Sequence, residues 1–332
     1  MIADVVVGLQ FGDEGKGKVT HQLVRNGNYT HVLRFNGGCN AGHTIYHEGK
    51  KFVTHHIPAG VFYGIRSIIG PGCVINPSQL FKEIEELEEG GIKVKEYLRI
   101  AANAHVITDF HIVEDRRDKD IGTTRTGNGP AYRDKYARKG VLALEIPELE
   151  DFIIDVFTEL HDNPEFDNIE VLCEGAQGFG LDIDWGEYPF VTSSHCTTAG
   201  VIANGIPHKA IRDVWGVAKV YETYVGAKQF EDEEEEIFDQ IREVGSEYGA
   251  TTGRPRQINW LSIDMIKRSA AVNGANKVIF NKADILDEVG TWCIYEGMDA
   301  HTFKTADDFE NWILHEVEDP EIIIFSRSPE EI

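Results

Sequence analysis

Basic residues are scarce in this sequence: 32 lysines and arginines stand against 56 aspartates and glutamates in 332 residues, a formal net charge of −24. A surface so acidic repels a nucleic-acid backbone and an anionic membrane alike, which argues against both as partners. Any phosphate ligand must be held by a local cluster of basic groups, so a small-molecule site is expected. Cysteine is sparse too. Cys39, Cys73, Cys173, Cys196 and Cys293 are odd in number, widely spaced and without a C-x-x-C pair. That argues against a disulfide framework or a zinc ribbon and for a reducing, cytoplasmic setting. No apolar run approaches the roughly 20 residues of a membrane-spanning helix. The opening MIADVVVGL is too short for a signal peptide and lacks its basic region. There is no repeat period, and the low-complexity run EDEEEE at 231–236 reads as a solvated segment.

Apolar residues make up 42% of the chain, enough for an ordinary globular core. Residues 3–9 (ADVVVGL) form a β-branched run leading into glycines, as a buried parallel strand does, and 18–26 can follow as a helix. Further strand-like runs lie at 30–35, 67–69, 98–101, 170–173, 213–220 and 277–281, with helix-like segments at 77–89, 147–160 and 262–273. Strands alternating with helices predict an α/β fold around a mainly parallel central sheet flanked by helices. Ligands should gather at the carboxyl ends of its strands. With no clear linker, one domain spanning 1–332 with insertions is expected.

Five segments can carry chemistry. Residues 12–19 (GDEGKGKV) have the G-x-x-x-x-G-K spacing of a phosphate-binding loop, but Val19 stands where such loops place a Mg²⁺-binding hydroxyl, and Asp13 lies inside the loop. Glycine N–H groups and the following helix N-terminus favour anions, and Lys16 or Lys18 can neutralise a phosphate. Taken alone, the stretch reads equally as a glycine-rich structural turn. Residues 36–44 (NGGCNAGHT) place His43 on a loop beside the first one, a surface histidine or a general acid, with Gly42 able to offer a carbonyl to a cation. Residues 122–140 gather Thr123, Thr124, Arg125, Arg133, Lys135, Arg138 and Lys139, which suit a monophosphate or form a solvated basic helix. Residues 281–284 (NKAD) follow a strand in the pattern by which GTP-binding proteins read guanine. An aspartate there accepts from the base's N1–H and 2-amino group, which favours GTP over ATP. Residues 251–256 (TTGRPR) suit a small dicarboxylate such as aspartate, or a structural turn.

The set and order of these segments resemble the adenylosuccinate synthetase family: GDEGKGK, NAGHT, GPAYRDKYARKG, EGAQG with LDID and VTSS after it, TTGRPR and K-x-D, from Asp4 to about Asp287. The resemblance implies a fold related to the phosphate-loop NTPases. It also implies an Mg²⁺-dependent enzyme that uses GTP to join L-aspartate to the 6-oxo carbon of IMP through a 6-phosphoryl intermediate. By that resemblance Asp13 is the general base on purine N1 and a metal ligand, with the Gly42 carbonyl beside it, and His43 is the acid. Lys16 touches the transferring phosphate, while Gly12, Gly15, Gly17, Lys18 and Thr44 frame the nucleotide. Asn40, Thr124, Gln177 and Thr192 hold the purine monophosphate, Gln177 also standing among the catalytic groups. Arg138 reaches the partner's site across a homodimer. Thr251, Thr252 and Arg254 bind aspartate, Arg254 also nearing the purine nucleotide, and Arg256 contacts ligand phosphates or carboxylates. Lys282, Asp284 and Ser326 read guanine.

Departures from the family pattern leave a second reading open. Residues 223–228 read TYVGAK where the family shows T-R-V-G-A-G, so Tyr224 and Lys228 stand near the expected ribose contact. Arg125 replaces a glycine, Gln257 a third arginine, and SRSP at 326–329 a glycine-containing turn. A related bacteriophage group aminates dGMP, with ATP as a conceivable donor, and LQFG at 9–12 resembles it. Many of those enzymes replace the loop aspartate and lose the guanine reader, whereas this chain keeps Asp13, Lys282 and Asp284, which puts IMP first. A non-catalytic GTP-binding switch is a third reading, but it has no use for TTGRPR or NAGHT.

Overall fold

The computed structural model describes the chain apart from residues 118–120, 232–235, 250–252 and 318. Among the described residues a nine-stranded sheet runs through the molecule: β1 (Ile2–Gly8), β2 (His31–Arg34), β3 (Arg66–Ile69), β4 (Leu98–Ala101), β5 (Ile153–Ile154), β6 (Glu170–Glu174), β7 (Ile211–Lys219), β8 (Lys277–Asn281) and β9 (Ile322–Phe325). Their order is β9-β8-β7-β1-β6-β2-β3-β4-β5, and every neighbouring pair is parallel.

Both faces of the sheet are covered, which explains the unbroken β-branched run of β1. Val5 and Val7 face one core with Leu33, Phe35 and Val171, whereas Val6 faces another with Val19, Val24, Val32 and Ile279. Val19 and Val24 belong to helix α1 (Lys16–Asn26). Val19, the residue that breaks the phosphate-loop pattern, is therefore a fully buried core residue of the helix that covers the sheet.

The chain leaves β1 for β2, builds outward to β5, returns as β6 between β1 and β2, and then crosses to β7 on the other side of β1. Strand order thus reverses at β1, and the crevice at its carboxyl end is where such sheets bind ligands. A second, mixed sheet of Tyr221–Tyr224, Gln257–Ser262, Trp292–Glu296 and Asp299–Phe303 continues from the end of β7.

The helix Pro77–Glu89 has the expected bounds, with proline in its first turn and the Asn76 side chain accepting the Gln79 N–H at 3.2 Å. Residues 147–160 do not form the single helix expected. A 3₁₀ turn at Pro147–Phe152 gives way to β5, which pairs with β4, and a helix restarts at Val156–His161. The β-branched pair Ile153–Ile154 prefers the sheet edge, and Asp155 caps the new helix by accepting from the Thr158 N–H at 2.7 Å.

Candidate active site

The loop after β1 turns through left-handed residues, Gly12 at φ 89°, Asp13 at φ 59° and Gly15 at φ 93°. Its organiser is Glu14, to which the phosphate-loop pattern assigns no role. The fully buried carboxylate accepts from the N–H groups of Gln10 at 3.2 Å and Gly12 at 2.9 Å, and holds the Lys16 ammonium at 2.5 Å. Gly8 is required beside it, because a Cβ there would lie 2.5 Å from Glu14 Oε1. Asn281 closes the loop from β8, its Nδ2 donating to the Glu14 carbonyl at 2.7 Å.

His43 is not on a loop as expected. It opens the strand His43–His47, paired in a hairpin with Lys50–Thr54, and it is buried. Gly17 allows that strand to touch the start of α1, since a Cβ on Gly17 would lie 3.0 Å from His43 Cβ. This contact sets His43 against the phosphate loop. Its Nδ1 lies 2.6 Å from Glu174 Oε1, which also accepts from Arg34 Nη1 at 2.7 Å, while Oε2 accepts from the Ala59 N–H at 2.9 Å. Burial and then the Arg34 charge lower the imidazole's pKa, which favours its neutral form. Burial alone would raise the Glu174 carboxyl, but the His43 hydrogen bond and the neighbouring charges prevail and hold it at about 2. With Glu174 ionised, Nδ1–H donates to it and Nε2 is the nitrogen left for chemistry.

Asp13 is paired with an arginine distant in sequence, Arg256 Nε lying 2.8 Å from Asp13 Oδ2. The Asp13 side chain keeps 34% exposure, so it remains open to ligands. Asp13 and the half-buried Gly42 carbonyl are hard oxygen donors of the kind Mg²⁺ takes. Two protein oxygens suit an ion that retains waters and draws its other ligands from phosphates, so the residues present fit this metal.

The segments assigned to the purine monophosphate converge at the same crevice. Asn36 exchanges hydrogen bonds with Ala176 at 2.8 and 3.1 Å and approaches Ser194 Oγ at 3.4 Å. Asn128 Nδ2 donates to Thr126 Oγ1 at 2.6 Å, and Thr126 Oγ1 is 2.8 Å from Thr124 Oγ1. Cys39 joins this group through the Thr126 carbonyl at 3.7 Å. Asn40 and Thr192 are half-buried, the former accepting from the Gly38 N–H at 3.2 Å and the latter donating its N–H to the Leu181 carbonyl at 2.8 Å. Gln177 sits at φ 56° with its buried Nε2 lacking a hydrogen-bond partner, a donor suited to a polar ligand. In the basic segment, Arg133 pairs with Glu114 and Asp134, and Lys135 donates to the Pro71 carbonyl at 2.5 Å. Arg138, at φ 61° just beyond the helix Asn128–Tyr136, is exposed.

The base-reading group lies at the end of β8. Lys282 adopts φ 69° and donates to the Gly245 carbonyl at 2.8 Å, with the half-buried Asp284 two residues on. Ser326 joins them by accepting the Ala283 N–H on its carbonyl at 3.2 Å. Lys18 belongs here, its ammonium donating to Ser326 Oγ at 2.7 Å and the Ser328 carbonyl at 2.8 Å. Burial lowers Lys18 to about 8 against the opposing charge of Asp284. Thr251 and Thr252 lie outside the described residues. Arg254 is half-buried, with its carbonyl accepting the Gly249 N–H at 2.8 Å.

Three of the departures from the family pattern, Tyr224, Lys228 and Gln257, form a cluster of their own. The Tyr224 ring packs against Phe11 and Phe230 at 6.1 and 5.5 Å between centroids. Lys228 lies over Phe11 and Phe230 and pairs with Glu187. Gln257 holds this loop, accepting the Phe230 N–H at 2.8 Å and donating to the Lys228 carbonyl at 2.8 Å. Arg125 is exposed at φ 60°. Glu222 is buried nearby, and burial, reinforced by Glu187, raises its carboxyl to about 8 from an ordinary 4.5. The unfolded chain releases this proton near pH 4.5 and the folded chain near 8, so the stability contribution is full below the first value and lost as pH rises through the second. Glu222→Gln is therefore expected to lessen the fall in Tm between about pH 5 and about pH 9. Parallel Tm profiles for the two proteins would show that Glu222 is not held neutral.

The family model for adenylosuccinate synthetase matches residues 5–148 and 144–310 of this chain. The adenylosuccinate synthetase of Xanthomonas oryzae pv. oryzae is 39% identical over 363 aligned positions, covering 93% of this chain and 84% of that protein. That of Chlorobium chlorochromatii is 38% identical over 360 positions, covering 92% and 82%. Among solved structures, the fully ligated adenylosuccinate synthetase of Plasmodium falciparum superposes with a TM-score of 0.87 at 30% identity, covering 98% of this chain and 97% of that one. The succinoaminodeoxyadenylate synthetase of cyanophage S-2L, bound to dGMP and dATP, shares the fold with a TM-score of 0.79 at 24% identity over 99% and 93%. Among the described residues, no helix is long and apolar enough to cross a membrane.

Proposed function

The chain belongs to the adenylosuccinate synthetase family, and from that premise we propose that it is a GTP-dependent carbon–nitrogen ligase joining L-aspartate to the 6-oxo carbon of IMP. The observation that carries the reading is the meeting of Asp13, Lys16 and His43 at the carboxyl end of β1, a carboxylate, an ammonium and an imidazole around one phosphate loop.

Asp13 takes the proton from purine N1, which drives charge onto O6 so that this oxygen attacks the γ-phosphate of GTP. Lys16 exchanges its hold on Glu14 for the transferring phosphoryl group. An anionic ligand beside His43 raises the imidazole's pKa again, so Nε2 carries a proton when the phosphoryl group is transferred. The aspartate amine then adds at carbon 6 and inorganic phosphate departs, a far better leaving group than oxide. Bound Mg²⁺, held by Asp13 and the Gly42 carbonyl, would offset charge on the phosphates. Gln177, Asn40, Thr124 and Thr192 hold the purine monophosphate. Arg254, Thr251 and Thr252 take the aspartate. Exposed Arg138 reaches the partner's site in a homodimer, and the enzyme works in the cytoplasm as one domain.

The guanine reader gives a separate test. An ionised carboxylate accepting two base hydrogen bonds contributes about 1.5–3 kcal/mol per bond. Asp284→Asn is therefore expected to raise the KM for GTP at least about tenfold while leaving that for ATP nearly unchanged. Equal changes for both nucleotides would remove Asp284 from base recognition.

The packing of Tyr224 against Phe11 and Phe230, at the expected ribose contact, favours dGMP as a second acceptor reading. Product formation from aspartate and GTP, compared for IMP and dGMP and repeated with ATP, decides between them. Turnover with IMP alone supports the first reading and turnover with dGMP alone the second. No product with either acceptor overturns both.

A further inference from the structure

Glu247 belongs to none of the motifs, yet its fully buried carboxylate connects the phosphate loop to the core. Oε1 accepts from Tyr221 OH at 2.6 Å and lies 3.3 Å from Lys219 Nζ, while Oε2 accepts from Arg256 Nη1 at 2.5 Å. Arg256 turns its other edge, Nε, to Asp13. Four charges thus alternate in one line: Lys219, Glu247, Arg256 and Asp13. The inner end of the line is rigid. Lys219 closes β7, its ammonium also donates to Thr223 Oγ1 at 2.5 Å, and its backbone exchanges hydrogen bonds with the Gln10 side chain at 2.9 and 3.1 Å. Gln10 lies between β1 and the phosphate loop and donates its N–H to Glu14 of that loop at 3.2 Å, so loop and ion-pair line share one frame. Burial alone would neutralise Glu247, but the Lys219 and Arg256 charges prevail and hold its carboxyl at about 2.

We propose that Glu247 is a positioning residue for the reaction, holding one edge of Arg256 in place so that its other edge is handed from Asp13 to an anionic group of an incoming substrate. The inference rests on the reading of Asp13 as base and metal ligand. When Asp13 turns to metal and purine, an unanchored arginine would follow it and compete for its carboxylate. Anchored on Glu247, Arg256 stays beside the loop with Nε free for an aspartate carboxylate or a phosphate oxygen, and planar guanidinium suits both.

Steady-state kinetics of the full chain with Mg²⁺, GTP, aspartate and the accepted purine nucleotide test this. Glu247→Gln is expected to raise the KM of one anionic substrate at least about tenfold, with a smaller fall in kcat. A rise for aspartate assigns the freed edge to a carboxylate, and a rise for GTP or the purine nucleotide assigns it to a phosphate. In an Arg256→Met background the same substitution should change that KM less than about twofold, because its effect passes through Arg256. A merely structural role would instead multiply the two effects. Should Glu247→Gln fail to fold around the buried Lys219, Tyr221→Phe removes one bond to Glu247 and keeps all four charges. It is expected to raise the same KM by about two- to fivefold. Turnover with unchanged KM values in whichever variant folds overturns the proposal alone. Absence of turnover by the unmutated chain overturns the ligase reading and the proposal with it.

Discussion

Asp13→Asn is expected to lower kcat by about 10²–10⁴-fold, the usual worth of a general acid or base, while the protein folds and still binds nucleotide. Asparagine is the informative substitution here. Residue 13 adopts φ 59°, which asparagine tolerates far better than alanine, so backbone strain does not confuse the result. Arg256 loses one partner but keeps Glu247, and the partly exposed site lets water take the place of the lost carboxylate. The Tm should therefore move little. Loss of a metal ligand should also raise the Mg²⁺ concentration needed for half-maximal rate, and kinetics over a range of Mg²⁺ separate that effect from loss of the base. If Asp13→Asn keeps more than about a tenth of kcat at saturating Mg²⁺, Asp13 is not the base.

His43→Ala is expected to lower kcat by a similar factor, about 10²–10⁴, with a modest loss of stability. The reason lies in what remains. Glu174 keeps Arg34 and the Ala59 N–H, so its buried charge stays paired when the imidazole is removed. Removing Glu174 is the instructive contrast. Glu174→Ala would leave Arg34 buried and uncompensated, which costs about 3–5 kcal/mol and would cut activity through loss of fold. Thermal denaturation beside turnover distinguishes the two cases. A His43→Ala protein with near-normal Tm and near-normal kcat would exclude this imidazole from the chemistry.

The strand, glycine turn and helix at the start of the chain are legible because each signal is local: a β-branched run, glycines where φ is positive, and a helix beginning at the lysines. The same holds for Pro77–Glu89 with its asparagine cap. The partners of the active groups are not legible in this way. Arg34 sits inside a run that reads only as an apolar strand, Glu174 opens the EGAQG segment without a role of its own, and nothing in either announces that they meet at His43. Arg256 and Asp13 lie far apart in the chain, and the fold brings them within 2.8 Å. Lys18 stands in the loop motif as a phosphate ligand, yet its side chain runs to Ser326 and Ser328, because the C-terminal segment lies along α1. Glu14 stood in plain view within GDEGK. Only in space do Gly8 and Gly178 show their purpose, which is to leave room for its carboxylate. Gln257, which displaces an arginine of the family pattern, shows its purpose only in space, where it fixes the loop carrying Lys228.

In the proposed reaction the purine O6 leaves as phosphate, and transfer of an oxygen label reports that step. With IMP labelled by ¹⁸O at O6, together with GTP, aspartate and Mg²⁺, mass spectrometry of the released phosphate should find one labelled oxygen per phosphate formed. Phosphate free of label, or released at the same rate without aspartate, would contradict the account.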